Sequence, residues 1–259
     1  NNLIMQRISL TTWSIHPYLH DGSLALLDMP ALVKQSGIQT VEICHFHFPD
    51  TSPTYVAQLR QAAAAAGVEV FSILIDAYDI AQANPQAREA DINAVAHWID
   101  IAAWLGASHV RVIAGEAPAH DHAALQRSIA ALVRLQAHAK ARGVTVISEN
   151  FKALAATPPN WLAIHTALGT GGCADIGNFP ADTRVADFAQ VAAQAVSIHV
   201  KASYDENGVI DARQVNACLA AARAHGFAGP TTLVYDRPGE RWQGIETLRQ
   251  VVAAAFAHA

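Results

Sequence analysis

VTVISE at residues 144–149, GGCAD at 171–175 and AVSIHV at 195–200 are short, mostly apolar runs, and each carries a polar residue at or near its C-terminal end: Glu149, Asp175 and His199. The gaps are 175 − 149 = 26 and 199 − 175 = 24 residues. Each is about one strand–helix repeat, so in a parallel barrel consecutive strands deliver the three groups to the same rim, the rim at which (β/α)8 barrels carry their active sites. Two carboxylates and an imidazole on rigid strands suit a divalent metal, Mn2+, Mg2+, Co2+ or Zn2+.

Outward from these three, the same kind of run recurs at RISLTTW (7–13), TVEIC (40–44), VEVFSIL (68–74), SHVRVI (108–113) and TTLVY (231–235), making eight. Runs rich in Val and Ile are what buried parallel strands require. Between them lie Ala- and Leu-rich segments with helix-start chemistry: Ser52-Pro53, Asn84-Pro85 and Thr157-Pro158 each set a capping side chain before a proline suited to a first helical turn. Gly37, Gly67, Gly106, Gly143 and Gly226 follow the helices, where a left-handed residue ends them. The interval PADTRVADFAQVAAQ is the least patterned. No hairpin signal and no GxGxxG after the first strand interrupts the alternation, so the prediction is a single-domain α/β (β/α)8 TIM barrel over residues 1–259.

With 52% hydrophobic residues the chain can bury one large core, and no shift in composition marks a second domain. A formal charge of −5 argues against a broad phosphate-binding surface, so nucleic acid is not expected as a partner. Cys44, Cys173 and Cys218 have no CxxC spacing and read as buried reduced thiols. Neither a signal peptide nor an apolar run long enough to span a bilayer is seen, and the expectation is a cytoplasmic protein without a membrane partner.

Glu149, followed by Asn150, reads as a metal ligand or general base, against a helix-capping or ion-paired rim residue. Asp175, before Gly177 and Asn178, reads equally well as a ligand or as turn chemistry, with Asn178 holding the loop or reaching a ligand. Strand alternation puts His199 and Lys201 on one face, His199 as neutral ligand and Lys201 as partner of an oxyanion, phosphate or carboxylate. Glu42 reads as a contact to substrate hydroxyls or an anchor for Arg111. His45 and His47 alternate with Phe46 and Phe48 and read as substrate-lining imidazoles, while Trp13 offers a face for a sugar ring or packs in the core. The histidines on expected helices, His97, His122, His138, His165, His225 and His258, read as solvated surface.

The chain resembles the sugar phosphate isomerase/epimerase family, the xylose-isomerase-like TIM barrels that also include endonuclease IV, inositol-pathway dehydratases and ketose 3-epimerases. The resemblance runs nearly throughout, from GIQTVEI through GASHVRVIAG, SENF…TPPNW, CADIGNF and SIHVK to GPTTLVYDRPGERWQGI. It implies a metal held by Glu149, Asp175 and His199 and by a second Glu on the eighth strand, but the position expected to hold that Glu is Val234. Three outcomes follow: Asp236 or another rim group replaces the carboxylate; three ligands and water support one-base chemistry; or a binding protein without activity remains. The resemblance implies a metal-assisted isomerase or epimerase acting on a small carbohydrate by proton abstraction next to a carbonyl, with a dehydratase or lyase next. A homo-oligomer is common among such proteins.

Overall fold

The computed structural model describes residues 7–257. His258 lies outside them. Eight parallel strands alternate with helices: β1 (Ile8–Thr11), β2 (Thr40–Cys44), β3 (Glu69–Ile75), β4 (His109–Val112), β5 (Thr145–Ile147), β6 (Gly172–Asp175), β7 (Ala195–Val200) and β8 (Thr231–Leu233). A short helix, α1 (His16–His20), leads from the end of β1 toward the first crossover helix. Seven crossover helices, α2 (Met29–Gln35), α3 (Pro53–Ala66), α4 (Pro85–Leu105), α5 (His122–Lys140), α6 (Pro158–Leu168), α7 (Arg184–Val191) and α8 (Ala212–Ala224), join successive strands, and α9 (Arg241–Ala257) follows β8. The TIM barrel expected from the alternation is what the chain adopts. No described helix is long and apolar enough to cross a membrane.

Local chemistry explains the element ends. Ser52 Oγ accepts from the Tyr55 N–H at 3.2 Å and Asn84 Oδ1 from the Ala87 N–H at 2.9 Å, as expected of N-caps before proline. Thr157 precedes α6 without a side-chain cap bond. The five glycines expected at helix ends all have positive φ. The weakly patterned sixth interval forms α7 and then a single 3-10 turn, Ala192–Gln194.

The core lies outside the barrel wall. Leu10, Val41, Ile43, Val110, Val146, Ile198 and Leu233 are buried and belong to the apolar cluster shared with the helices. Their strand neighbours point to the barrel axis, where Ser9, Glu42, Ser72, Ser197, His199 and Thr232 are buried and polar. The barrel interior is therefore a polar shaft inside an apolar sleeve, which is why titratable groups can be stationed in it.

The strand order β5-β4-β3-β2-β1-β8-β7-β6 leaves β5 and β6 to close the barrel. They do so through one bridge, Glu149 to Cys173, with the Cys173 N–H donating to Ser148 O at 3.0 Å. Side chains supply what a longer ladder would. Asn150 Nδ2 donates to Asp175 O at 2.9 Å, and the Asp175 N–H donates to Asn150 Oδ1 at 2.7 Å. Trp161 Nε1 donates to Cys173 O at 2.8 Å.

His165 belongs to this seam. It was expected on the solvated surface of α6, but it is buried, because its ring packs on Trp161 and against Gly172, where a Cβ would stand 2.1 Å from the imidazole. Its Nε2 accepts from the Ser148 N–H at 3.1 Å while Nδ1 lies 2.8 Å from Trp161 O, which fixes the Nδ1–H tautomer. Burial lowers its pKa to about 4, so the ring is neutral. His97, His122 and His225 are exposed, and His138 is half-buried against Asp100 at 2.9 Å.

Candidate functional site

At the C-terminal ends of the strands a cavity of about 410 Å³ is lined by Thr11, Trp13, Cys44, Phe46, Leu74, Asp76, Arg111, Glu149, Phe151, Lys152, Asp175, Asn178, His199, Lys201, Val234 and Asp236. His199 stands at its floor. Its Nε2 is 2.8 Å from Glu42 Oε2, and its Nδ1 faces Glu149 Oε1 at 3.5 Å and Asp175 Oδ2 at 3.9 Å. The three residues first singled out thus gather around one imidazole nitrogen.

Glu149 is buried and meets a cation and an amide. Arg111 Nε lies 3.0 Å from Glu149 Oε1, and Asn178 Nδ2 donates to Oε2 at 3.3 Å. Burial by itself would raise this carboxyl, but the charges of His199 and Arg111 outweigh it and hold the pKa down to about 2. Burial and then the negative charge of Glu149 push Asp175 the other way, to about 7. Burial also opposes a charged His199, yet Cys173, Glu149 and Glu42 raise it well above 6.5. Since burial pushes the Cys173 thiol itself up to about 12, the two glutamates carry that effect at neutral pH.

Two expectations change here. Glu42 neither lines the cavity nor reaches Arg111; it is buried below, accepting from Ser72 Oγ at 2.7 Å and holding His199. The partners of Arg111 are instead Glu149 and, at 2.6 Å, Asp76, one residue past β3. The strand-like alternation assumed for His45 and His47 is also replaced, because residues His45–His47 form a 3-10 turn that sends Phe46 into the cavity. His45 Nδ1 accepts from the Asp76 N–H at 3.0 Å, while His47 bonds Thr12 at 2.7 Å and His16 at 2.8 Å.

Trp13, Lys201, Asn178 and Asp236 line the cavity, with Lys201 Nζ 3.8 Å from Asp236 Oδ2. Val234, one residue past β8, lines it too, so no carboxylate projects from that position. Asp76 was missed, although the run VEVFSIL continues as Ile75-Asp76, the same strand-end acid that drew attention to Glu149.

The donors fit a divalent cation. Glu149 Oε1 is buried with no hydrogen-bond donor aligned on it, because Arg111 Nε approaches as a charge without hydrogen-bond geometry. Carboxylate oxygens of Glu149 and Asp175 stand 3.5 and 3.9 Å from the same imidazole nitrogen, a donor set that suits such an ion.

Residues 30–251 match the sequence family described as the xylose isomerase-like TIM barrel. The chain belongs to that family. No curated protein matches the sequence significantly. Among solved structures, an L-ribulose 3-epimerase is 19% identical over 98% of this chain and 95% of its own, with a TM-score of 0.77. A xylose isomerase-like TIM barrel protein from Mycobacterium smegmatis in complex with magnesium is 16% identical over 97% and 98%, with a TM-score of 0.68. The probable 3-DHS dehydratase AsbF from Bacillus anthracis, involved in petrobactin synthesis, is 14% identical over 96% and 99%, with a TM-score of 0.74. These likenesses establish a shared architecture across the family.

Proposed function

We propose that the cavity binds a small sugar or sugar derivative and, with a divalent metal held by Glu149, Asp175 and His199, removes a proton next to a carbonyl, as an isomerase or epimerase does. The observation that carries this reading is the buried, ionised Glu149, whose unbonded Oε1 faces the cavity floor. The epimerases and the dehydratase among the similar structures support it. When bound, the metal polarises the carbonyl and acidifies the neighbouring C–H.

The remaining work falls to the chain's own groups. Arg111, pinned by Asp76 and by Ile75 O at 2.9 Å, keeps Glu149 ionised and fixed in direction. Asp175, raised toward neutrality in the metal-free chain, gives up its proton when it takes hold of the ion. Lys201 brings a positive charge to the mouth, where it stabilises an oxyanion. Trp13, Phe46 and Phe151 offer apolar surface to the C–H faces of a sugar.

Val234 favours a second reading within this chemistry. With no opposed glutamate on β8, proton removal and return use the Glu149 side alone, which suits an aldose–ketose shift or a dehydration. A panel of sugars in deuterated solvent tests both: the wild type incorporates solvent deuterium and Glu149→Gln does not. No exchange by the metal-loaded wild type, or exchange undiminished in Glu149→Gln, overturns the proposal. If the protein binds a sugar without exchange, it is a binding barrel.

A further inference from the structure

Resting on the reading that this centre takes a divalent cation, we infer that Cys173 is a further metal ligand and that the site selects thiophilic ions, Zn2+ or Co2+, over Mg2+ and Mn2+. A carboxylate oxygen of Glu149, Sγ of Cys173 and a ring nitrogen of His199 all lie within 4.8 Å of one another. Cys173 and Asp175 stand on the same face of β6, two residues apart, and Cys173 is paired directly with Glu149 across the seam. A sulfur therefore stands beside the carboxylate of Glu149 and the ring of His199.

A buried cysteine is ordinarily a small apolar filler. Cys218 fits that description, since it lies within the apolar cluster between wall and helices. Cys173 is equally buried but stands outside that cluster, on the polar shaft among ionisable groups. The second pointer is Glu149 Oε1, a buried oxygen without a hydrogen-bond donor in the same group.

The spacing suits a small tetrahedral ion. With bonds of about 2.0–2.3 Å, ligand atoms stand roughly 3.3–3.7 Å apart. Glu149 Oε1 and His199 Nδ1 are already at 3.5 Å, so modest closure completes one oxygen, one nitrogen and one sulfur; Asp175 Oδ2, 3.9 Å from the same nitrogen but outside that group of three, joins as a second oxygen only by a further shift of its side chain. Val234 withholds a hard oxygen ligand from the eighth strand, and a soft sulfur on the sixth replaces it. Thiolate favours zinc and cobalt over magnesium and manganese. On binding, the protons on Cys173 Sγ and His199 Nδ1 leave to solvent, so the sulfur donates as thiolate and the ring as neutral imidazole.

The test loads metal-stripped full-length protein with Co2+ and records its absorption spectrum, with Zn2+ and Mn2+ affinities measured by equilibrium dialysis. The expected result is a thiolate-to-cobalt charge-transfer band that persists in Cys44→Ser and disappears in Cys173→Ser. Zn2+ affinity falls at least about tenfold in Cys173→Ser while Mn2+ affinity holds. Circular dichroism and Cys173→Ala identify a folding failure, and selective loss of Zn2+ by folded Cys173→Ala supports the assignment. Cobalt binding without a sulfur band, or Zn2+ held equally by wild type and Cys173→Ser, overturns the role of Cys173 and leaves the oxygen–nitrogen centre standing. No divalent ion bound by the wild type overturns the metal centre itself.

Discussion

Arg111 is the residue on which the charge balance of the cavity turns. Buried between Asp76 and Glu149, it neutralises two carboxylates that water reaches poorly, and removing one partner of such a set costs about 3–5 kcal/mol. Arg111→Met is therefore expected to lower the urea midpoint strongly, and Arg111→Met with Asp76→Leu to recover part of the loss. A double variant no more stable than the single one excludes the shared pairing. At Val234, where the cavity has an apolar wall, Val234→Glu adds an oxygen donor, and Mn2+ affinity measured by dialysis is expected to rise about tenfold. Unchanged affinity means that position 234 does not face the ion.

These residues also show how far sequence carries. Glu149, Asp175 and His199 were legible because each ends a strand-like run at one repeat's spacing, and a barrel turns that spacing into proximity. Glu42 was visible as a buried-strand acid, but its partner was not, because which strands face each other across the shaft is absent from local pattern. His45 and His47 were misplaced for a local reason: the run TVEIC stops at Cys44, and a tight turn exchanges the two faces within three residues. His165 sits in a helix of ordinary composition, and only the crossing of α6 against Gly172 buries it.

At the scale of elements, the β5–β6 join is built differently from the others, where strands share ladders of three or more pairs. Backbone amides there, Cys173 and Asp175, are expected to exchange with deuterium faster than those of β2 and β3, and Asn150→Ala to speed the Asp175 amide further. Equal protection around the barrel would contradict this.

His165 gives the same join a pH dependence. Its folded pKa, about 4, lies below the unfolded value near 6.5, so the folded chain binds fewer protons. Its contribution is complete above about pH 6.5 and declines as pH falls toward 4, by on the order of 3 kcal/mol. His165→Gln is expected to be less stable at pH 7 yet to lose less between pH 6.5 and 4 in urea titrations. A variant with the wild-type pH slope removes His165 as the titrating group.

For the whole molecule, the proposed ion would join groups at the ends of β5, β6 and β7, an arrangement the unfolded chain lacks. At one hundred times its dissociation constant it adds about 2.7 kcal/mol to stability, and the melting temperature is expected to rise by roughly 5–10 °C. Differential scanning calorimetry with Zn2+ and with chelator measures the shift, and Glu149→Gln abolishes most of it. A shift retained in Glu149→Gln places the ion elsewhere.

The wall between β5 and β6 is fastened by an asparagine, a tryptophan and a histidine more than by backbone. Side-chain bonds there do what a backbone ladder does elsewhere. Glu149 and Asp175 hang on opposite lips of this one seam, so its width sets the distance between the two carboxylates, while the other seven strand pairings keep their register.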